Sequence, residues 1–406
     1  MKKVISLIVA CVMVLGLFAG CASQSTNTTE PAKQTDSKTE TNSNQTEAAQ
    51  PAVEPIKFGV SYFATGSNAE NGEVAKISLE IARDEINAAG GVNGRPIELV
   101  FMDVKGDAKE SPEVARKFLE DESILAVIAG DSSSGCMAAA PIYEDGGMIQ
   151  IASNASAVAY PPMGDYQFSL VGRSSEDIPF GVKNVIGGQL HAKKIALIYQ
   201  NDEWGNSYVE NYQKACGENG IEIVAAEPYM VGDQDFNAVL SKLRQANPEV
   251  LALCCQYAEG SLIMKQIRKM GWDDVACVCS GGLVNDMFLN VVGEDGEGVI
   301  GWTIYAYSED YPTAYQFAQE YRSRSGGKNP SNWGGMYDVL RILANAAADC
   351  GDNLTRATLR DSLVAQDDFV TMMGGNLKFN DDGSVSRVYY PLTIKDGAWV
   401  AYTPAE

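Results

Sequence analysis

The sequence has very little histidine and no cysteine pattern of the kind that binds metals. His191 is the only histidine among 406 residues, which excludes a histidine-rich metal site. Nine cysteines occur, but no two form a C-x-x-C pair and none has the spacing of a zinc site. No nucleophile elbow, phosphate-binding loop, histidine dyad or conspicuous carboxylate pair occurs either. We therefore expect no enzyme, no metal and no cofactor.

Basic residues are scarce in comparison with acidic ones. The sequence holds 31 lysines and arginines against 53 aspartates and glutamates, which gives a formal net charge of -22 at pH 7. A chain this acidic repels nucleic acid and anionic lipid surfaces, and no basic stripe interrupts the pattern. We interpret the charge as an aid to solubility on an exported surface, and we expect no nucleic-acid partner.

The N-terminus predicts export. Lys2 and Lys3 precede an apolar segment from Val4 to Ala19, which is too short for a comfortable membrane span and typical of a secretory signal. The segment ends LFAGC, which resembles a bacterial lipobox. Residues 1–20 are therefore predicted to be a lipoprotein signal peptide, with cleavage before Cys21 and acylation of its thiol. Phe18 stands where leucine is more usual, so a plain signal-peptidase site is the alternative.

The residues after Cys21 have almost nothing to bury. Residues 21–54 consist mainly of Ser, Thr, Asn, Gln, Glu, Ala and Pro, so burial cannot offset the entropy lost on ordering. We expect a flexible tether with an r.m.s. reach on the order of 30 Å. Together with an acylated Cys21, this predicts an extracytoplasmic protein that is lipid-anchored to the bacterial cell membrane.

The rest of the chain, about 350 residues, is longer than one hydrophobic core usually holds, so we expect two lobes. Apolar runs alternate with helical patterns from Ile56–Tyr62 to Met148–Ala152, and the alternation restarts near Lys194–Tyr199. This predicts an α/β fold with two parallel sheets flanked by helices. Three later helical stretches lack strands between them and are expected to cover the first sheet: Thr313–Arg324, Trp333–Asp349 and Thr355–Val364.

Two apolar runs of the first lobe lead into loops rich in hydroxyl groups. Ile124–Ala129 precedes DSSSG, residues 131–135, and Met148–Ala152 precedes SNAS, residues 153–156. The carboxyl ends of parallel strands share one edge, where α/β proteins bind ligands. A helix starts at the serines, so its free N–H groups favour a carboxylate or another small anion. Taken alone, Ser132 or Ser133 is more simply a helix N-cap, but two such loops favour a binding site.

From Pro55 to about Tyr402 the chain resembles the substrate-binding proteins of branched-chain amino acid ABC importers. The segments that carry the resemblance are IKFGVSYFATG, ARDEINAAGGVNGRPIEL, APIYEDGGMIQIASNAS, KKIALIYQNDEWG and GDQDFNAVLSKLR. This leucine/isoleucine/valine-binding family has the two-lobed type I periplasmic-binding-protein fold. The resemblance implies one lobe from residues 55–172 plus 304–375 and another from residues 173–303 plus 376–406. It also implies three interlobe crossings, near Gly172, Trp302 and Gly375.

The resemblance further implies which residues hold a ligand between the closing lobes. It places the carboxylate of an amino acid on Ser133, with Ser134 beside it. The loop after the next strand contributes the backbone of Ala155 and the hydroxyl of Ser156. Trp204, in the motif NDEWG, is the expected aromatic wall of the second lobe.

The chain departs from the family pattern elsewhere in the expected site. Asn71 stands where many members carry a ring, and so does Gln256, which is followed by Tyr257. The acid that usually pairs with a ligand ammonium is missing around Gly281. The candidate replacements are Asp286, Glu70 and Asp131. The sequence therefore predicts an intact carboxylate end and leaves the partner of the amine open.

These observations predict a solute-binding lipoprotein of an ABC importer. It is expected to bind a small amino acid, branched-chain or similar, and to deliver it as a monomer to the transmembrane subunits of the permease. Asn71 and Gln256 in place of rings favour an aliphatic or modestly polar ligand. Two alternatives stay open: a ligand-sensing protein for a membrane receptor, and a binder of carboxylates without an amine, such as a keto acid.

Overall fold

The structure, a computed structural model, describes residues 53–402. The predicted signal peptide, the acylated Cys21 and the tether as far as residue 52 lie outside the described residues. Within residues 53–402, no helix combines the length and the apolar character needed to cross a membrane.

A five-stranded parallel sheet forms the centre of the first lobe. Its strands are β1 (Ile56–Tyr62), β2 (Ile97–Asp103), β3 (Ile124–Ala129), β4 (Ile149–Ala152) and β5 (Gln167–Ser169), in the spatial order β2-β1-β3-β4-β5. Every residue of β4 and nearly every residue of β3 is buried. Continuous apolar runs produce this burial because helices cover both faces of a parallel sheet.

The second lobe is built on a seven-stranded sheet. Its parallel strands are β6 (Lys194–Gln200), β7 (Glu222–Tyr229), β8 (Val250–Cys254), β9 (Ala276–Cys279) and β10 (Ile300–Thr303). A short hairpin of β11 (Phe369–Val370) and β12 (Asn376–Leu377) stands apart from this sheet. The antiparallel strands β13 (Tyr390–Lys395) and β14 (Ala398–Ala401) then extend the sheet beyond β10.

Eleven α-helices occur within the described residues. They are α1 (Ala69–Ala88), α2 (Ser111–Glu120), α3 (Ser133–Asp145), α4 (Ser174–Phe180), α5 (Glu203–Asn219), α6 (Asn237–Gln245), α7 (Tyr257–Lys269), α8 (Asp286–Val292), α9 (Pro312–Arg324), α10 (Met336–Cys350) and α11 (Arg356–Ala365). The last three pack on the first sheet, where Phe317, Leu340 and Leu363 share one hydrophobic core with Phe58 and Ile128. The chain thus returns to its first lobe after completing β10.

The segment that follows β12 packs on the first lobe, whereas the resemblance implied that it belongs to the second. Phe379 and Val385 are part of the first lobe's core, and the Ser169 N–H donates to the carbonyl of Gly383 (2.9 Å). Because this turn docks on the end of β5, the chain reaches the second sheet only at Tyr390. The third crossing therefore lies between Val385 and Tyr390 and not near Gly375.

The cysteines of the described residues behave as small apolar side chains. All seven are free thiols, and six of them are buried. Cys254 and Cys279 lie at the ends of β8 and β9, and burial raises the pKa of both thiols. A buried thiol of raised pKa is a poor nucleophile, which agrees with a structural role.

Candidate functional site

Two adjoining cavities lie between the lobes, where the parallel strands of both sheets end. The first has a volume of ≈ 70 Å³ and the second of ≈ 40 Å³. Asn154 and Trp333 of the first lobe line both cavities, as do Trp204 and Gln256 of the second. The two cavities therefore form one enclosed space with a wall from each lobe.

The first wall contains the serines at the start of α3. Ser132 is the N-cap, since its hydroxyl accepts a hydrogen bond from the Gly135 N–H (3.1 Å). Ser133 is buried, and its hydroxyl oxygen accepts a hydrogen bond from the Ala157 N–H (3.3 Å). Both serines line the second cavity. The Ser133 hydroxyl hydrogen is not used in that bond and is available to a ligand.

The loop after β4 contributes Ser156 as predicted, but not Ala155. Ser156 lines the first cavity. The carbonyl of Ala155 accepts a hydrogen bond from the Ser169 hydroxyl (2.8 Å) inside the lobe, and Ala155 does not line either cavity. Asn154, one residue earlier, lines both. The Ala155 carbonyl is therefore occupied within the first lobe, and Asn154 is the residue of this loop that lies against both cavities.

The second cavity is also bounded by the residues that precede four helices. These N-cap residues are Asn68 before α1, Ser132 before α3, Asp202 before α5 and Gln256 before α7. The first N–H groups of a helix have no partner within it, and they carry a partial positive charge. Four helix starts thus supply N–H donors to one small space, which also contains the carboxylates of Asp131 and Asp202.

Asp131 is a buried acid on the same wall. The Ser111 hydroxyl donates to one carboxylate oxygen (2.5 Å), and the Ser132 N–H donates to the other (2.7 Å). Burial raises the pKa of Asp131 to about 6, although these hydrogen bonds oppose the shift. Of the three acids considered from the sequence, Asp131 is the one that lines a cavity.

Trp204 provides an aromatic surface on the second wall. It follows the N-cap Asp202, whose carboxylate accepts a hydrogen bond from the Gly205 N–H (2.9 Å). Its side chain lines both cavities and packs against Tyr208, with ring centroids 4.8 Å apart. The structure thus places Trp204 where an aromatic wall was expected.

An acid that the sequence reasoning missed lies in the first cavity. Asp177 of α4 is 6% exposed and lines this cavity. The Tyr208 hydroxyl donates to its Oδ2 (2.6 Å), and the Trp302 indole N–H donates to its Oδ1. Burial raises the pKa of Asp177 to about 6 against the effect of these hydrogen bonds. In the sequence SSED the residue looks like an ordinary acid of a first helical turn, so no local signal identifies it.

Three residues that were predicted to contact a ligand instead join the lobes at the edge of the cleft. The hydroxyl of Ser134 accepts a hydrogen bond from the Glu203 N–H (3.4 Å). The Tyr257 hydroxyl donates to the carbonyl of Ser67 (3.2 Å). Asp286 accepts a hydrogen bond from the backbone N–H of Asn329 (3.1 Å). None of the three lines either cavity, and each makes a hydrogen bond between the lobes.

Asn71 also lies outside the two cavities. It is in the first turn of α1, is 2% exposed, and its Oδ1 has no hydrogen-bond partner among the described residues. Glu70, the preceding residue, is exposed. Of the predicted ligand contacts, Ser133, Ser156, Trp204 and Gln256 are brought together around the enclosed space.

Comparisons with known proteins agree with this architecture. A sequence profile described as periplasmic binding protein matches residues 55–398. A leucine-, isoleucine-, valine-, threonine- and alanine-binding protein of Pseudomonas aeruginosa is 28% identical over 261 residues, which cover 64% of this chain and 69% of that protein. An amino acid binding protein of the same organism is 25% identical over 346 residues, which cover 81% and 89%.

A solved structure of the same architecture comes from Streptococcus pneumoniae. It is a branched-chain amino acid transporter substrate binding protein in complex with isoleucine. The two structures superimpose with a TM-score of 0.79 at 26% sequence identity, covering 86% of this chain and 98% of that chain. The two-lobed arrangement of sheets is therefore shared along almost the whole length of that protein.

Proposed function

This protein belongs to the periplasmic binding protein family, and we propose that it is the solute-binding component of an ABC importer that encloses a small amino acid between its lobes. The family consists of solute-binding proteins and not of enzymes. Relatives named for leucine, isoleucine, valine, threonine and alanine, and a neighbour that holds isoleucine, support an amino acid as the ligand. Delivery to a membrane permease is part of the same proposal.

The observation that carries the proposal is the composition of the enclosed space. Ser133 and Ser156 bring hydroxyl groups to the first wall, and Trp204 faces them from the second. The Ser133 hydroxyl and the N–H groups of the four helix starts around the second cavity are the donors available to the ligand carboxylate. A charged end on one wall and an aromatic surface on the other suit an amino acid with an aliphatic or modestly polar side chain.

Enclosure by two lobes implies that the ligand shifts an equilibrium between open and closed forms. Hydrogen bonds between the lobes, from Glu203 to Ser134 and from Val158 to Ser207, stabilise the closed form. Small-angle scattering is expected to show a smaller radius of gyration with ligand than without. An unchanged radius with a ligand of proven affinity would contradict closure.

A thermal-shift screen tests the ligand class. The panel contains free L-amino acids and, beside each, the same molecule without its amine. Micromolar binding is worth about -8 kcal/mol, and a thousandfold excess of ligand over Kd stabilises the folded state by about 4 kcal/mol. We expect a clear rise in Tm with one or more L-amino acids. Stabilisation by the deaminated acids alone would overturn the amino-acid assignment.

The lipid anchor at Cys21 belongs to the proposal as well, although it lies outside the described residues. Cys21→Ala should release the protein from the membrane fraction, since a single polar tether gives no affinity for the bilayer. Cys350→Ala, at a partly exposed thiol of the folded part, is the matched control and should stay membrane-bound. Equal membrane association of both variants would argue for another form of attachment.

A further inference from the structure

Carboxamide side chains line the enclosed space from one end to the other. Asn68 and Gln200 line the second cavity, Asn332 lines the first, and Asn154 and Gln256 line both. Each carboxamide has an oxygen that accepts hydrogen bonds and an NH₂ group that donates them. A ligand in this space therefore meets neutral groups of both kinds along its whole length.

Gln200 shows what a carboxamide looks like when the protein itself satisfies it. Its side chain is nearly buried, and its Nε2 donates to the carboxylate of Asp202 (2.7 Å). Its Oε1 accepts a hydrogen bond from the hydroxyl of Tyr229 (3.3 Å). Both ends of this carboxamide are thus paired within the second lobe, and it needs no partner from a ligand.

The carboxamides of Asn68 and Gln256 are not paired in this way. Asn68 precedes α1 and Gln256 precedes α7, yet neither side chain makes the capping hydrogen bond that such a position allows. Within residues 53–402 neither side chain has another hydrogen-bond partner. Both are half-buried at the cavity, so their donors and acceptors are available to its occupant.

Asn154 and Asn332 are each paired at one end only. The Asn154 amide donates to the hydroxyl of Ser153 (2.6 Å), which leaves its Oδ1 available. The Asn332 Oδ1 accepts from the hydroxyl of Thr303 (2.6 Å), which leaves its Nδ2 available. The first cavity thus has an unused acceptor and an unused donor from these two residues.

Aliphatic and basic side chains contribute little to the same lining. The described residues around the second cavity include rings, from Phe63, Trp204 and Trp333, but no aliphatic side chain. The first cavity has two, Val171 and Ile304. Lysine, arginine and histidine are absent from the described lining of both cavities. An aliphatic ligand group would therefore cover unpaired carboxamides, and an anionic one would lack a counter-charge.

The backbone groups of an amino acid cannot use all of these carboxamides. The ammonium and the carboxylate are attached to one carbon atom, so they occupy one end of the ligand. Asn68 and Asn332 line different cavities, with Asn154 and Gln256 between them. Whichever cavity receives the backbone groups, the side chain of the ligand still faces carboxamides in the other.

We propose that the ligand is an amino acid whose side chain carries a carboxamide or a hydroxyl group, and that Gln256 recognises this group. The inference rests on the proposed function and names the ligand class more narrowly. Carboxamides and hydroxyls both donate and accept, as Gln256 does, whereas an ammonium only donates and a carboxylate only accepts. An aliphatic side chain of the same shape would leave the carboxamides unpaired, which is the stronger basis for discrimination.

The experiment compares amino acids that have the same shape and differ in polarity. Titration calorimetry on the full chain uses three pairs: L-asparagine and L-leucine, L-threonine and L-valine, and L-serine and L-2-aminobutyrate. L-Aspartate and L-lysine represent charged side chains. We expect the polar member of at least one pair to bind at least tenfold more tightly than its apolar partner. Equal or tighter binding of the apolar member in every pair would overturn the proposal.

The variant Gln256→Met tests the residue assigned to this recognition. Methionine keeps the length of the side chain and removes the carboxamide, so the ratio of the two affinities in the selective pair should fall at least fivefold. Gln319→Met is the matched control, because Gln319 is exposed on α9 and lines neither cavity. It should keep the ratio of the wild type. A purely structural Gln256 would weaken both members of the pair equally, and an unchanged ratio would overturn its role.

Failure of the proposed function would look different from failure of this inference. If leucine and valine bind the wild type more tightly than asparagine and threonine, the protein is an amino-acid binder and the inference is wrong. Tightest binding of aspartate or lysine would have the same meaning. If no amino acid of the panel binds, both fail. These comparisons need only the wild type, so the proposal stays testable should Gln256→Met not fold.

Discussion

Each wall of the cleft buries one acid, and the two acids are held in different ways. On the first wall, Asp131 accepts hydrogen bonds from Ser111 and Ser132, which lie at the starts of the two helices next to it in the chain. On the second wall, Asp177 accepts from Tyr208 and Trp302, and Trp302 lies 125 positions away. Burial raises the pKa of each to about 6.

The difference lies in the distance along the chain and not in the lobe. The donors of Asp131 belong to the first lobe alone. Tyr208 of α5 and Trp302 of β10, the donors of Asp177, belong to the second lobe alone. Each acid is therefore held within its own lobe, the first by neighbours in the chain and the second by residues that tertiary packing brings together.

The largest expected effect comes from holding the two walls apart. A β-carbon at Gly281 would overlap the Asn332 amide, which accepts a hydrogen bond from the Thr303 hydroxyl (2.6 Å) across the first cavity. Gly281→Leu should therefore prevent full closure and weaken binding from micromolar to millimolar Kd, about 4 kcal/mol. Calorimetry measures this loss.

The control for that variant is Gly217→Leu on α5. Gly217 is exposed, and nothing lies within 4 Å of a β-carbon placed there. The control should bind as the wild type does. Full affinity in Gly281→Leu would mean that one wall suffices for binding.

The next effect concerns the acid of the first wall. The folded pKa of Asp131, about 6, lies above its ordinary value of 3.8, so the folded state binds the proton more tightly than the unfolded state does. Its contribution to stability is therefore full below pH 3.8 and lost as the pH rises through 6. A shift of this size corresponds to about 3 kcal/mol. The free energy of unfolding of the wild type should therefore fall between pH 4 and pH 7, and that of Asp131→Asn should fall less, by about this amount.

Denaturant unfolding of the ligand-free proteins at a series of pH values measures the difference. Other titrating groups are common to both proteins and cancel. Parallel stability curves for the wild type and Asp131→Asn would show that Asp131 titrates alike in the folded and unfolded states. The contrast of the two buried acids would then rest on Asp177 alone.

The first wall was predictable from the sequence to a much greater degree than the second. Ser133 and Ser156 follow apolar strands directly, and the period and order of those strands predict which edge their loops share. The family resemblance and the two-lobed α/β fold were predicted correctly. Asp177 was missed because its burial is created by the side chains of Tyr208 and Trp302, which a local pattern does not bring together.

The errors in the prediction have the same origin. Ala155 was expected to line the site, but Ser169 of the neighbouring strand donates to its carbonyl and Asn154 lines the cavities instead. The third crossing was placed too early, because Gly374 and Gly375 indicate a turn but not the lobe on which that turn packs. Both errors are of one kind. A sequence pattern identifies loops and strands, whereas the partner of a given polar group depends on tertiary packing.

A smaller effect is expected at the hydroxyl of the first wall. Ser133→Ala removes a donor for the ligand carboxylate and should cost about 1–3 kcal/mol of binding. The control for calorimetry of this variant is Ser362→Ala. The Ser362 hydroxyl donates to the Ala346 carbonyl within the first lobe, and Ser362 lines neither cavity. Unchanged affinity in Ser133→Ala would remove this serine from the site.

The smallest expected effect distinguishes a role of Tyr257 in closing the cleft from a role in contacting the ligand. Tyr257 was predicted to contact the ligand, but its hydroxyl donates to the Ser67 carbonyl of the opposite lobe. Tyr257→Phe removes one hydrogen bond that exists only in the closed form, worth about 1 kcal/mol. The loss should appear as a roughly fivefold faster dissociation of the ligand in stopped flow, because association begins from the open form.

Tyr337→Phe is the matched control for that measurement. The Tyr337 hydroxyl donates to Glu85 (2.6 Å), and both residues belong to the first lobe, so this bond is the same in open and closed forms. The control should lower thermal stability and leave the dissociation rate unchanged. The opposite result for Tyr257→Phe would be an unchanged dissociation rate of the tightest ligand and an altered ligand specificity. That result would place Tyr257 in the ligand site. The second wall would then extend from the first cavity to the mouth of the cleft.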